Sequence, residues 1–252
     1  MTTQKELSLY LHQLLNCDRY NDYAPNGMQV EGKEQIKRIC TAVTASAEVI
    51  TQAISWQADT LLVHHGYFWR GEAPVITGMK RQRLHKLLRH DINLFAYHLP
   101  LDCHPELGNN ACLAKLFELD TVQMHRAGST DNLLWSGQLS KAMTHSEFFR
   151  FLSKKLNRAP LFIEGTSKTI TRIAWCSGGA QDFIEEANRL GVDAYLSGEV
   201  SERTYYQAKE LGIHYYSCGH HATERYGIKA LGEYLASYFK LDHLFIDSDN
   251  PV

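Results

Sequence analysis

The sequence predicts an α/β protein of two α/β/α halves with largely parallel sheets. Short runs rich in β-branched and aliphatic residues alternate with stretches of helical periodicity, as crossover units require. The alternation occurs twice, on either side of a less regular middle. The halves also match locally: Ala58-Asp-Thr-Leu-Leu-Val63 against Val192-Asp-Ala-Tyr-Leu-Ser197, with Asp59 and Asp193 coincident, and Ile92–Tyr97 against Ile213–Cys218. Duplication and convergent strand patterning both account for that match.

In order, Thr3 with Glu6 forms a capping box, and Leu7, Tyr10, Leu11, Leu14 and Leu15 share one helical face. Tyr23-Ala-Pro-Asn-Gly27 is a turn, because proline fixes one dihedral and Asn-Gly tolerates positive φ. Strands follow at 36–43, 60–63 and 92–97, with helices near 46–57 and 79–90 between them. The second series places strands at 170–176, 194–197 and 214–218, separated by helices near 181–190 and 201–211. A helix near 221–239 and a strand at 243–246 close the chain. Residues 120–170 fit neither half well. Thr144 and Glu147 cap a helix to about Lys155, 161–164 reads as a strand, and the whole segment as an edge element or crossover. The expected domains are 1–125 and 126–252.

Composition narrows the function. Of 252 residues, 44% are hydrophobic and 21% charged, which excludes a disordered or fibrous chain. Twenty-six basic against 28 acidic side chains give a net charge of −2, which counts against nucleic acid as a partner. No apolar run reaches the ~18–20 residues of a membrane span. The start lacks a signal-peptide core and the end a prenylation box, so a cytoplasmic location is expected. The six cysteines form no Cys-x-x-Cys pair, which argues against thiolate zinc and a disulfide framework.

The thirteen histidines matter by placement. Three polar clusters each follow a predicted strand: His64-His65-Gly66, His98-Leu-Pro-Leu-Asp102 with His104 beyond, and His220-His221-Ala-Thr-Glu224. Ligands of open parallel sheets bind at the carboxyl ends of strands, so the clusters are expected to share one edge. Neighbouring His64 and His65 would face opposite ways inside a strand, but both can turn to one site where the chain leaves it. His220 and Glu224 are four apart, on one face near a helix start, with His221 about 100° away. A hydrogen-bonded histidine, a helix cap or a surface pair is the bland reading of each cluster; the three together favour a metal site. A catalytic zinc takes three protein ligands plus water. His64, His65, Asp102, His220 and Glu224 make five, too many for one such ion and sufficient for two sharing a carboxylate. Two ions ~3.5–4 Å apart form the usual hydrolytic pair. The nitrogen and oxygen donors suit Zn, Mn, Fe, Co or Ni. Cys103 and Cys218 flank the clusters and are not expected to ligate.

Other signals are weaker. Cys176-Ser-Gly-Gly179 is either an anion-holding loop or a plain tight turn. Tyr67-Phe-Trp-Arg70 either stacks on a base and reaches a phosphate, or is an aromatic core segment with one exposed arginine.

Asn26-Gly-Met-Gln-Val-Glu-Gly32, Val63-His-His-Gly66, His98-Leu-Pro-Leu-Asp102, Gly191-Val-Asp193, Ser197-Gly-Glu199 and Gly219-His-His-Ala-Thr-Glu224 resemble, in order, the motifs of the GTP cyclohydrolase 1 type 2 homologues, the NIF3-like family. The resemblance runs from about residue 20 to 245. It implies a duplicated, intertwined α/β fold and a toroidal homohexamer, a trimer of dimers. It also implies a dinuclear metal centre with ligands at His64, His65, Asp102, His220 and Glu224, and points to nucleotide chemistry without settling a substrate. The expected function is a dinuclear divalent-metal-dependent hydrolase acting on a small molecule, a purine nucleotide. Hydroxide would attack an electrophilic carbon such as C8 of a guanine ring, with Glu199 as catalytic proton shuttle. The alternative is a non-catalytic metal-binding, assembly or regulatory protein. A hydrolase needs an open coordination position and a substrate pocket, whereas a storage site is closed.

Overall fold

The computed structural model describes residues 1–252 throughout. The first stretch runs β1 (Thr2–Thr3), α1 (Gln4–Leu14), β2 (Gly27–Val30), β3 (Gln35–Ile36), β4 (Arg38–Thr44), α2 (Ala47–Ser55), β5 (Thr60–His65), α3 (Gly78–Arg89) and β6 (Asn93–Ala96). Then come α4 (Leu99–Asp102), α5 (Asn109–Leu116), β7 (Leu119–Ala127), β8 (Thr130–Met143), α6 (His145–Leu156) and β9 (Leu161–Ile163). The chain ends with β10 (Ile170–Trp175), α7 (Ile184–Arg189), β11 (Ala194–Ser197), α8 (Glu202–Leu211), β12 (His214–Ser217), α9 (His220–Phe239) and β13 (Asp242–Phe245). Two compact units result. Unit 1 comprises Met1–Leu101 and Gly227–Asp249, and unit 2 comprises Asp102–Tyr226 and Asn250–Val252.

Unit 1 holds a five-stranded sheet in the order β13-β4-β5-β6-β2, parallel except for β2. Strands β4 to β6 are buried almost without interruption, as parallel strands must be. Their side chains Cys40, Ala42, Leu61 and Val63 share a core with Val49 and Ile50 of α2. The α1 capping box is formed: Thr3 Oγ1 accepts the Glu6 amide at 3.2 Å, and Glu6 Oε2 accepts the Thr3 amide at 2.8 Å.

Unit 2 holds a six-stranded sheet in the order β7-β8-β10-β11-β12-β9. Strands β10, β11 and β12 are parallel; β8 and β9 flank them antiparallel, and β7 is the edge. Its core joins Phe148 and Leu152 of α6 to Ile173, Trp175 and Leu196.

The units repeat one plan. Unit 1 runs α1, β2, β4, α2, β5, α3, β6; unit 2 runs α6, β9, β10, α7, β11, α8, β12. Each opens on a Thr-x-x-Glu capping box, at Thr3 and at Thr144. Each also needs a glycine at one matching point. A Cβ at Gly32 would lie 2.6 Å from the Asp91 carbonyl oxygen, and one at Gly165 would lie 2.5 Å from that of Gly212. The Gly32 amide donates to Asn93 Oδ1 at 2.8 Å and the Gly165 amide to His214 Nδ1 at 3.0 Å. Asn93 and His214 open the third parallel strand of their respective units. The repeated plan is therefore written in hydrogen bonds as well as in strand patterning. Residues 144–163, expected as edge or crossover, belong to the second repeat, while the hairpin β7–β8 supplies the edge. No helix is long and apolar enough to cross a membrane.

Candidate metal centre

In unit 1 the second parallel strand ends at the histidine pair. His64 is fully buried and His65 half-buried, and their ring centroids lie 4.6 Å apart. The chain leaves the strand here, so the two rings approach one another instead of pointing to opposite faces. His64 Nδ1 donates to the Tyr97 carbonyl at 2.9 Å, which puts the lone pair of the neutral ring on Nε2. His65 Nδ1 is 3.2 Å from Thr44 Oγ1.

His98 joins them. One nitrogen each from His64, His65 and His98 lies within 4.8 Å of the others, a candidate metal-ligand group. The His98 ring is fixed by Asp22, whose Oδ1 lies 2.9 Å from Nδ1. Burial alone would raise the Asp22 carboxyl. The hydrogen bonds from His98, Asn26 and the Leu99 amide outweigh burial and hold it at about 2. Tyr23 and Trp69 flank the His98 ring, at 4.9 and 5.2 Å between centroids.

In unit 2, α9 begins at His220, and the first turn brings His220 Nε2 to 3.1 Å from Glu224 Oε2. The other ring nitrogen, Nδ1, lies 2.6 Å from Glu199 Oε1. Burial alone would lower the His220 pKa; the Glu224 and Glu199 carboxylates outweigh it and hold the imidazole up at about 9. Glu224 is buried, and Gly178, at φ 67°, leaves it room: a side chain there would run into its carboxylate. Asp102 is also buried, the last residue of α4 and not a helix N-cap. Its Oδ1 accepts from Asn109 Nδ2 and Ser177 Oγ, both at 2.9 Å. Burial, and then the charges of Asp102, Cys103 and Glu224, push the Cys176 thiol well up, which keeps it protonated and a poor ligand.

The structure thus brings His64 and His65 together in unit 1, and His220, Glu224 and Glu199 in unit 2, where Asp102 also lies. His221 is buried, and its backbone amide donates to the Val252 carbonyl at 3.0 Å. None of the six cysteines is in a disulfide.

Both weaker motifs resolve toward structure. In the 176–179 loop the Ser177 amide donates to Asn110 Oδ1 and the Gly178 amide to Thr223 Oγ1, so these donors are already engaged within the protein. Tyr67 is core, its hydroxyl donating to the Ala45 carbonyl at 2.6 Å. Arg70 is tied to the 21–23 turn through the Asp22 and Tyr23 carbonyls. Sequence reasoning missed the orienting groups Asp22, Thr44, Asn109 and Ser177. Their only signal is that a short polar side chain lies in or beside a predicted turn or strand end, which is too common to single them out.

The Duf34/NIF3 (NGG1p interacting factor 3) family profile matches residues 2–251. A Haemophilus influenzae protein named GTP cyclohydrolase 1 type 2 homolog is 53% identical over 248 residues, 98% of either chain. Among solved structures, the structural-genomics protein ybgI, of unknown function, is 48% identical with a TM-score of 0.95 and full coverage of both chains. A Thermus thermophilus protein is 29% identical with a TM-score of 0.90, again over both whole chains. With the match spanning nearly every residue and the strand-end histidines and carboxylates in place, the chain belongs to the Duf34/NIF3 family.

Proposed function

We propose that the protein is a cytoplasmic, dinuclear divalent-metal-dependent hydrolase that acts on a purine nucleotide. In this reading His64, His65, Asp102, His220 and Glu224 hold two cations per subunit, drawn from Zn, Mn, Fe, Co and Ni by the chemistry of the donors. The observation that carries it is the setting of His220. An imidazole between two carboxylates, its pKa held up at about 9, is a place built to keep positive charge. His220 and Glu224 are residues that would hold a divalent cation. Glu199 then orients the ring through Nδ1, the carboxylate–histidine pairing common beside bound metals. The buried Asp102, steadied by Asn109 and Ser177, adds a fixed negative oxygen.

Such ions, when bound, supply Lewis acidity to the group under attack. The residues do the rest: His64 is locked in one tautomer by Tyr97, and Glu199 Oε1 accepts the Nδ1–H of His220. The nucleotide assignment leans on the name of the Haemophilus influenzae relative. By the same family resemblance, the assembly is a closed homohexamer.

A screen of the metal-reconstituted protein against purine nucleotides tests this. Turnover that needs added metal and falls with Glu224→Ala is expected. Absence of turnover with both ions bound would overturn the hydrolase and favour a metal-binding or assembly role.

A further inference from the structure

We propose that unit 1 carries a binding site for a phosphorylated small molecule, at the opposite edge of its sheet from the strand-end histidines. A cavity of about 450 Å³ lies at the amino ends of β4 and β5, lined by Lys33, Lys37, Arg38, Gln57, Asp59 and His90. Strand β5 runs from Thr60 to His65, so roughly 15–20 Å of strand separates the cavity from the histidine pair. The site is therefore independent of any bound metal.

Three observations carry the site. The first is charge. Lys33, Lys37 and Arg38 against Asp59 leave two net positive charges on the lining with His90 neutral. A phosphate monoester, at about −1.5 to −2 near pH 7, matches them. The second is that these cations are left open. Lys33 Nζ lies 2.9 Å from Asp59 Oδ1 and its side chain is still 43% exposed. Lys37 and His90 are exposed, and neither side chain has a partner in the protein. The Arg38 guanidinium lies 4.5 Å over the Trp56 ring and donates from Nη1 to Gln57 Oε1 at 3.1 Å, which fixes its plane. Its Nε is shut off from water and has no acceptor, and native proteins leave few such donors unmet. A planar guanidinium held in this way suits the oxygens of a phosphate.

The third is that unit 2 builds the same corner without the charges. Asp193 accepts the Thr171 and Arg172 amides as Asp59 accepts those of Lys37 and Arg38, so Thr171 stands in the place of Lys37. Ser167 Oγ, at 3.5 Å, approaches the aspartate where Lys33 Nζ does in unit 1. Leu211, before Gly212, stands in the place of His90, before Asp91. Arg172 is occupied by the Gly191 and Leu190 carbonyls, at 3.2 and 3.0 Å. The fold thus needs neither the lysines, nor the histidine, nor an open guanidinium, yet unit 1 gathers all of them around one cavity. Small-molecule pockets span about 300–1,000 Å³, so this cavity has room for an organic body beside the phosphate. Ile54, Ala58 and Ile92 give that body an apolar wall.

Calorimetric titration of the metal-reconstituted protein tests the site, with ribose 5-phosphate and AMP as probes and ribose and adenosine as their phosphate-free counterparts. Both phosphates should bind saturably, inorganic phosphate more weakly, and ribose and adenosine not at all. Lys37→Ala and Arg38→Gln should each weaken phosphate-ester binding about 10–100-fold, as the loss of a hydrogen bond to a charged group does. Thr171→Ala, the matching change in unit 2, should leave it unchanged, and the Lys37-sensitive binding should persist in His220→Ala/Glu224→Ala. Thermal melts confirm the fold of each variant. Should Arg38→Gln fail to fold, Lys37→Ala, at an exposed position, decides alone. Binding of neither ester, or binding untouched by Lys37→Ala, would overturn the proposal. Loss of binding in His220→Ala/Glu224→Ala would overturn it by placing the anion at the candidate metal centre. Inorganic phosphate bound as tightly as the esters would overturn it in favour of a bare-anion site.

Discussion

Asp59 and Asp193 do the same work in the two units. Asp59 Oδ2 accepts the amides of Lys37 and Arg38 at 2.9 and 3.0 Å, and Asp193 Oδ2 accepts those of Thr171 and Arg172, both at 2.9 Å. Each aspartate precedes the second parallel strand and clamps the start of the first. Burial alone would raise the Asp59 carboxyl; Lys33 and the two amides outweigh it, and its pKa is lowered. A depressed carboxyl stabilises the fold fully above the unfolded value of about 4, and the contribution disappears as pH falls through the lower folded value. Asp59→Asn should cost about 1.5–3 kcal/mol, the range for hydrogen bonds to a charged group. Urea unfolding at pH 7 checks the size. Repeating it between pH 5 and 2 should show the gap between variant and wild type closing, and a constant gap would contradict the assignment.

His220 and His221 are neighbours with different surroundings. His220 faces Glu224 across one turn, whereas His221 is buried beside it with its amide engaged by the chain end. His220→Ala should lower metal content sharply, and His221→Ala should leave both ions bound. Elemental analysis after reconstitution and dialysis decides, and the reverse order would refute the shared-face argument.

Glu199 reaches His220 Nδ1 at 2.6 Å, so its first duty is orientation. Glu199→Gln should therefore weaken metal affinity by ~10–100-fold. A residue that only shuttled protons would lower the turnover rate and leave affinity unchanged. Titration calorimetry on the stripped variant separates these outcomes.

The proposed hexamer has a direct test. One chain has a mass of 28.7 kDa, and sedimentation at micromolar concentration should give a species about six times heavier. A stable species of one chain's mass would remove the closed assembly.

Much of the fold was legible because its signals are local. The Thr-x-x-Glu boxes at Thr3 and Thr144 announce two helices, and continuous apolar runs such as Thr60–Val63 announce buried parallel strands. The histidine clusters were legible because each follows such a strand. The hairpin β7–β8 was not: most β7 side chains are exposed, with Asp120, Thr121 and Gln123 near its start, so no apolar alternation marks it. Strand β2 is equally faint, four residues on an antiparallel edge. The pairing of Asp22 with His98 joins residues far apart in sequence, and only the folded unit reveals it.

The proposed pair of ions on this chain's histidines and carboxylates is read out by metal stoichiometry. Protein stripped with chelator, reconstituted with excess divalent metal and dialysed should retain about two equivalents per chain by elemental analysis. Glu224→Ala, which removes the buried carboxylate facing His220 Nε2, should retain fewer. One equivalent or none in the wild type, or two in Glu224→Ala, would rule out the paired ions.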